Sequence, residues 1–371
     1  MARKPKKTVR YAEQPERINP LTGIVMDKNA IAPLNLVYED DVHGIYLYQG
    51  DCLEVLDAIA AKHPDGCFDA IFADPPYFLS NGGITCHAGK MVSVHKGDWD
   101  KSRGPELNHE FNTEWLRRCQ RVLKPNGTIW VTGTQHVIFS VGYAMQQLGY
   151  KILNDIAWEK PNPPPNLSCR YFTHSTETVL WAAKTEKSKH LFNYKAMKAV
   201  TGKQMKTVWR FSAPSKAEKT FGKHPTQKPV GLVERCLLAS TNEGDLVLDP
   251  FLGGGTTAVV SVRLHRHFVG IELEKMWIEQ AKKRVAITTC GGGSYEVDNP
   301  LRSAPDLAAS YWRRPSCPRQ TIRSRSFCER QEEQRLGRSH ARTLHQSRPK
   351  LPASSERVGL GTQDNIIAFA G

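Results

Sequence analysis

One short apolar run that ends in two prolines constrains this chain more than any other stretch. Cys67-Phe-Asp-Ala-Ile-Phe-Ala-Asp-Pro-Pro-Tyr77 reads as a buried strand that stops at Asp74. Runs of this length and apolar character suit a sheet covered on both faces, and Pro75 and Pro76 have no N–H to give to a ladder. A carboxylate, Asp74, and a ring, Tyr77, are thereby fixed at a strand's carboxyl end. In open parallel sheets that edge is where ligands bind, and successive prolines make it rigid before anything arrives. An ordinary strand followed by a turn would spell the same letters, so the rest of the chain has to decide.

The flanking residues form a β-α-β unit. Ile45–Tyr48 reads as a strand, Gln49-Gly50 as a turn, and Asp51-Cys52 opens a helix through Leu53–Ile59, with Asp51 serving as strand-end carboxylate or helix cap. A helix between two strands argues for a parallel sheet. Residues 78–108 hold glycines at 82, 83, 89, 97 and 104 with few apolar pairs, which predicts a lid that orders over substrate. A helix over about Glu110–Leu123 comes next, carried by Phe111, Trp115, Cys119 and Val122 and stopped by Lys124-Pro-Asn-Gly127. Thr128–Thr132 is then a buried strand. A helix near Val137–Leu148 leads to a strand at Lys151–Trp158, with which Glu177–Ala182 pairs as a hairpin.

A second α/β block begins at residue 223. Lys223-His-Pro-Thr-Gln-Lys-Pro229 precedes a helix, Asp245–Asp249 is a buried strand, and Pro250-Phe-Leu-Gly-Gly-Gly-Thr-Thr257 is a glycine-rich turn. A helix at Ala258–Leu264, a strand at His267–Ile271 ending in Glu272, and a helix at Lys275–Ala286 complete it. Strand, Gly253-x-Gly255 turn, helix, strand and acid is a nucleoside-binding half-fold: the glycines admit a ligand close to the backbone, and Glu272 can take both ribose hydroxyls. The turn lacks the Lys of a P-loop, so a nucleoside cofactor without a demanding phosphate grip is favoured.

A formal net charge of +14 points to a polyanionic partner, most simply nucleic acid. Between about Glu159 and Gly222, basic residues interleave with aromatics, among them Arg170, Tyr171, His174, Lys203, Lys206 and Arg210; such a mixture suits phosphates and base faces together, and equally a solvated surface. Nine scattered cysteines without C-x-x-C or His-paired spacing support neither a disulfide framework nor a metal site, so none is assigned. No apolar run is long enough to span a bilayer and no signal peptide is evident, which places the chain in the cytoplasm, away from membranes. Residues 1–35 read as a basic, flexible arm. After residue 289 twelve Arg and one Lys remain, against thirteen Arg and twenty-five Lys before it; residues 290–371 are therefore expected to be a disordered Arg- and Ser-rich tail, its switch in usage hinting at a fusion or out-of-frame extension.

Asp74-Pro-Pro-Tyr77 together with Asp249-Pro-Phe-Leu-Gly-Gly-Gly-Thr-Thr257 resembles the S-adenosylmethionine-dependent amino-methyltransferases of DNA. The catalytic motif comes first and the target region lies between, as in the β class. Phe78-Leu-Ser-Asn-Gly-Gly83, Lys96-Gly-Asp-Trp-Asp-Lys101 and Asn166–Glu177 look most like the DpnA-type adenine methyltransferases of DpnII restriction systems, whose target is GATC. The likeness spans about Tyr46–Ala286, with Gly254 standing where the family often has Ser.

The resemblance implies an α/β, Rossmann-like methyltransferase fold with a mainly parallel central sheet and circularly permuted motif order. Residues 36–158 would be its catalytic half, 159–222 its target-recognition region and 223–289 its cofactor half. It implies transfer of a methyl group from S-adenosyl-L-methionine to N6 of a flipped adenine, with cytosine N4 as the nearest rival and a non-catalytic nucleic-acid-binding remnant as the alternative of another kind. Catalysis would fall to Asp74, Pro75, Pro76 and Tyr77. Asp51 and Cys52 would meet the cofactor's adenine, Glu272 its ribose, Asp249, Phe251, Gly253 and Gly255 its methionine part, and Thr226 with Lys228 the methionine end, with Thr256 a further cofactor-binding residue. Double-stranded DNA, and single strands by resemblance alone, would be held by Lys96, Arg170, Tyr171, His174, Lys203, Lys206 and Arg210. Oligomeric state stays open, a homodimer included.

Overall fold

The computed structural model describes residues 34–80, 96–222 and 224–289, together with the backbone of the short strands Arg17–Ile18, Val25–Met26, Ile84–His87 and Lys90–Ser93. The basic arm, the tail after residue 289 and the middle of the expected lid lie outside the described residues. In chain order the main elements are β1 (Leu36–Asp40), β2 (Ile45–Gln49), α1 (Cys52–Lys62), β3 (Phe68–Ala73), α2 (Pro105–Val122), β4 (Leu123–Gly133) and α3 (Ile138–Gln147). They continue with β5 (Lys151–Glu159), β6 (Thr176–Ala183), α4 (Tyr194–Thr201), β7 (Val208–Arg210), α5 (Val230–Ser240), β8 (Leu246–Asp249), α6 (Thr256–Arg263), β9 (His267–Glu272) and α7 (Lys275–Thr289).

Nine strands form one sheet in the order β7-β5-β6-β4-β3-β8-β9-β2-β1. The five in the middle, from β4 to β2, are mutually parallel; β6 runs antiparallel to both its neighbours, and β1 closes the other edge antiparallel to β2. Alternation along each central strand explains why both faces are covered. Ile71 and Ala73 of β3, Ile129 and Val131 of β4 and Leu248 of β8 face a core shared with α1, α2 and α3. Their neighbours Phe72, Trp130 and Val247 face the opposite core, shared with α5, α6 and α7. The fold is thus a doubly wound α/β sheet with a mainly parallel centre.

At the antiparallel end, Trp130 and Trp181 are directly opposed across β4 and β6 and stack with ring centres 4.7 Å apart. Such a pair contributes about 0.5–1.5 kcal/mol beyond its buried area, and the indole N–H of Trp130 is satisfied by Ser240 Oγ at 2.9 Å. The segment 159–222 is therefore fastened to the rest of the fold by the sheet itself.

Two boundaries differ most from the sequence reading, each by five residues. Helix α2 begins at Pro105 rather than Glu110, because Pro fits a first turn whatever the polarity of the residues after it. Lys124-Pro-Asn-Gly127 ends the helix, yet β4 already starts at Leu123: Leu123 pairs with Phe68, Thr128 with Ala70, and the four residues between them bulge out of the ladder.

Candidate active site

Four carboxylates stand at the carboxyl ends of four adjacent parallel strands. Asp74 follows β3, Asp249 ends β8, Glu272 ends β9, and Asp51 follows β2 by two residues, with Leu248 level with Ile71 and Glu272 with Gln49. Each is positioned by local chemistry. Asp51 caps α1, its Oδ1 accepting from Leu53 N at 2.7 Å, an arrangement that stabilises a helix by about 1 kcal/mol. Asp249 accepts from Phe251 N at 2.9 Å and Thr257 Oγ1 at 2.5 Å; burial nevertheless pushes its carboxyl up to about 7. Glu272 accepts from Gly253 N at 2.7 Å and Glu274 N at 2.9 Å, and burial raises it also.

Between these ends lies an open cleft. It is lined by Asp51, Cys52, Asp74, Pro76, Thr226, Lys228, Asp249, Phe251, Gly253, Thr256 and Glu272, all expected at a site. Pro75, Tyr77 and Gly255 are not on its wall. Gly255 instead lets α6 approach α7: it has φ +78°, and a Cβ there would lie 2.6 Å from Ala281 Cβ. The ring of Tyr77 is not an open face of the cleft. Tyr77 is 5% exposed, and its hydroxyl lies 2.9 Å from Asp74 Oδ1 and 3.1 Å from Glu177 Oε2. Burial, with Asp74 and Glu177 nearby, raises that phenol well above its ordinary value and keeps it a donor.

Asp74 receives two further bonds. Thr132 Oγ1 donates to Oδ1 at 2.6 Å, and Lys228 Nζ forms an ion pair with Oδ2 at 2.6 Å. Glu177 is itself ion-paired with Lys160. A second buried acid, Asp100, shapes the backbone just beyond the motif. It accepts from the backbone N–H groups of Tyr77, Phe78 and Leu79 and from Ser80 Oγ, at 2.8 to 3.2 Å. These bonds hold Phe78 at φ +59°, a left-handed conformation that costs an ordinary residue about 1–2 kcal/mol. The described start of the expected lid is thus pinned without substrate.

The sequence reading passed over Asp100, Thr132, Lys160 and Glu177, and also three rings beside the glycine turn. His224 stacks on Trp99 at 6.3 Å and meets Trp277 edge-on at 4.4 Å. Burial, aided by Lys228, Arg284 and Lys96, lowers the imidazole to about 3, so it is a neutral plate at working pH. Histidine, threonine and lysine of the 224–228 segment were visible as a motif; the stacking was not.

Residues 68–283, more than half of the chain, match the DNA methylase family of N6/N4 methyltransferases. The chain belongs to this family. Type II methyltransferase M2.DpnII of Streptococcus pneumoniae is 60% identical over 219 residues, which are 58% of this chain and 82% of that one. M2.LlaDCHI of Lactococcus lactis subsp. cremoris is 56% identical over 241 residues, 64% of this chain and 88% of that one. Among solved structures, the M1.HpyAVI–SAM complex shares 30% identity with a TM-score of 0.50, covering 65% of this chain and 98% of its own. This DNA methyltransferase accordingly draws on S-adenosylmethionine, as its family does.

The expected DNA-contacting residues of the methyltransferase divide into three groups. Arg170, Tyr171 and His174 lie exposed on the segment that joins β5 to β6, and both ends of that segment, Glu159 and Thr176, are at the same sheet edge as Asp74. Arg210 ends β7 at this edge as well, paired with Glu159 at 3.0 Å. Lys96 is drawn inward, its Nζ 5.3 Å from the Tyr77 ring centre, and burial lowers its pKa despite Asp100 and Asp74. Lys203 and Lys206 precede the start of β7, at the end of the strand away from that edge, and the structure does not bring them to the cleft. Among the described residues, no group of three or more His, Cys, Asp or Glu is disposed to hold a metal, and no helix is long and apolar enough to cross a membrane.

Proposed function

We propose that this DNA methyltransferase acts on the N6 amino group of an adenine flipped out of duplex DNA, with GATC as its target, as the modification half of a cytoplasmic restriction–modification system. The observation that carries the reading is the meeting of Asp74, at the end of β3, with Asp249 and Glu272, at the ends of the next two strands, around one cleft. The relatives named Type II methyltransferases support the system, and the motifs shared with DpnA-type enzymes support the base and the site.

The residues present fit a nucleoside cofactor. Among the described residues, Gly253 has the His224 ring nearest to where a Cβ would stand, at 3.1 Å, and the acids at the strand ends suit hydroxyls and cationic groups. Glu272 would take the ribose, Asp51 and Cys52 the adenine, Asp249, Phe251, Gly253, Gly255 and Thr256 the methionine chain, and Thr226 with Lys228 its carboxylate end. S-adenosylmethionine, when bound, supplies a methyl group on a sulfonium.

Everything else falls to the protein. A stacked adenine cannot be attacked in line, so it must be flipped, at a cost of a few kcal/mol. Stacking on Tyr77 would return about 1–3 kcal/mol of that, once the ring is uncovered. The amino nitrogen is a poor nucleophile because its lone pair is delocalised. Asp74 and a backbone carbonyl of Pro75-Pro76 would accept its two hydrogens, turn its lone pair out of the ring plane, and stabilise the positive charge that grows on it. Arg170, Tyr171, His174 and Arg210 would hold the duplex.

The test is to methylate unmodified DNA with the purified protein and analyse its nucleosides by mass spectrometry, with cleavage by a GATC-specific, methylation-sensitive nuclease alongside. N6-methyl-2′-deoxyadenosine and protection at GATC are expected. N4-methylcytosine would overturn the base, protection elsewhere the target, and failure to bind S-adenosylmethionine the enzyme itself.

A further inference from the structure

Lys228 covers both groups that an adenine must reach. Its ammonium is 2.6 Å from Asp74 Oδ2 and 5.1 Å from the centre of the Tyr77 ring. The other carboxylate oxygen, Oδ1, already accepts from Thr132 and Tyr77. Lys228 is 6% exposed, and it also donates within its own segment, to Thr226 O at 3.3 Å. An amino group offered to Asp74 therefore meets Lys228 first.

The cleft supplies a reason for Lys228 to leave. Among the described residues that line it, Lys228 is the one Lys or Arg, against Asp51, Asp74, Asp249, Glu272 and Glu274. The ammonium and sulfonium of S-adenosylmethionine suit such a wall. Its carboxylate does not, and in a partly buried cleft needs a cation close by. That cation is the one now spent on Asp74.

Resting on the function proposed above, we propose that Lys228 is an interlock: it holds Asp74 until a cofactor carboxylate draws it away, so the amino acid end of the cofactor licenses the base to be engaged. Lys228 is a positioning residue in this scheme, acting on the adenine through Asp74. Cofactor and DNA binding are coupled through a single shared partner, and the coupling is reciprocal.

Calorimetric binding to the full-length chain tests this with two ligands, S-adenosylhomocysteine and 5′-methylthioadenosine, which lacks the amino acid carboxylate. Asp74→Asn frees Lys228 in advance and should tighten S-adenosylhomocysteine by about five-fold or more, leave methylthioadenosine unchanged, and produce no gain in a Lys228→Met background. An unchanged or weaker affinity in Asp74→Asn, or an equal gain for both ligands or in both backgrounds, overturns the interlock. The unmodified chain gives a second reading that no folding defect can obscure. Its affinity for duplex DNA carrying the target should rise about five-fold with S-adenosylhomocysteine and not with methylthioadenosine; equal effects would overturn the interlock too. If neither ligand binds the unmodified chain, the proposed function fails instead.

Discussion

Tyr77 and Glu177 lie a hundred residues apart in sequence and 3.1 Å apart between phenol oxygen and carboxylate. The same phenol is 2.9 Å from Asp74, and one proton cannot serve both acids at once. Tyr77 is therefore shared between the proposed catalytic carboxylate and a carboxylate on β6, which Lys160 neutralises.

Replacing that distant partner should be felt at the motif. Glu177→Gln keeps the shape and strands the Lys160 ammonium. Loss of a fully buried pair costs about 3–5 kcal/mol. Because Lys160 is 27% exposed, about 1–3 kcal/mol is expected, seen as a melting temperature lower by several degrees and a reduced turnover number. Thermal unfolding and initial rates check both, and a variant as stable and as fast as its parent would remove Glu177 from the network.

Gly255→Ala should destabilise by about 2 kcal/mol or more, combining left-handed strain with overpacking against Ala281. Gly202→Ala is the control, since it has φ +70° with nothing within 4 Å and should show the backbone cost alone. Denaturant unfolding of the pair separates the contributions; equal losses would mean that α7 gives way to the added methyl.

Stability should depend on pH through Asp249 and His224 with opposite signs. Burial raises Asp249 to about 7, above its unfolded value near 4, so its contribution is fully present below about 4 and is lost as pH rises through 7. His224, lowered to about 3 from an unfolded value near 6.5, costs stability as pH falls below about 6.5. The two offset each other between about 4 and 6.5, leaving Asp249 to dominate above. Urea unfolding from pH 6 to 8 should show the native chain losing stability relative to Asp249→Asn, and parallel curves would contradict this.

Arg170→Ala should weaken DNA binding more at low salt than at high. If Arg170 meets a phosphate, the log–log salt slope becomes shallower by about one, with cofactor affinity unchanged. Anisotropy titrations between 50 and 200 mM salt, the range in which such contacts are lost, measure it. An unaltered slope with changed sequence preference would assign Arg170 to a base edge.

The strand ends were legible because their chemistry is local. Two prolines after Asp74, and one after Asp249, stop a strand wherever they fall. Asp100 left no such trace, since three of its four donors are backbone N–H groups some twenty residues away. Glu177 and Lys160 stand within recognisable motifs, but their roles depend on the antiparallel register of β5 and β6, which periodicity does not supply. The start of α2 was misjudged because its amphipathic signal begins only at Phe111. Tyr77 was legible as part of the motif, but the approach of Lys228 and Lys96 to its ring is one that no spacing could announce.

The interleaved order β3-β8-β9-β2 has a consequence for how the chain is made. On the ribosome, β3 is complete at Ala73, 173 residues before β8 begins at Leu246, and β2 at Gln49, 218 residues before β9 begins at His267. Until then each has one bare edge, hydrophobic on both faces, and the sheet cannot close around its own middle. Such nonlocal pairing folds slowly and leaves sticky edges in the interim. A nascent chain that stalls before Leu246 thus holds Asp74 on a strand paired at one edge only, and is a candidate for chaperone capture, not an enzyme with a weaker grip on its cofactor.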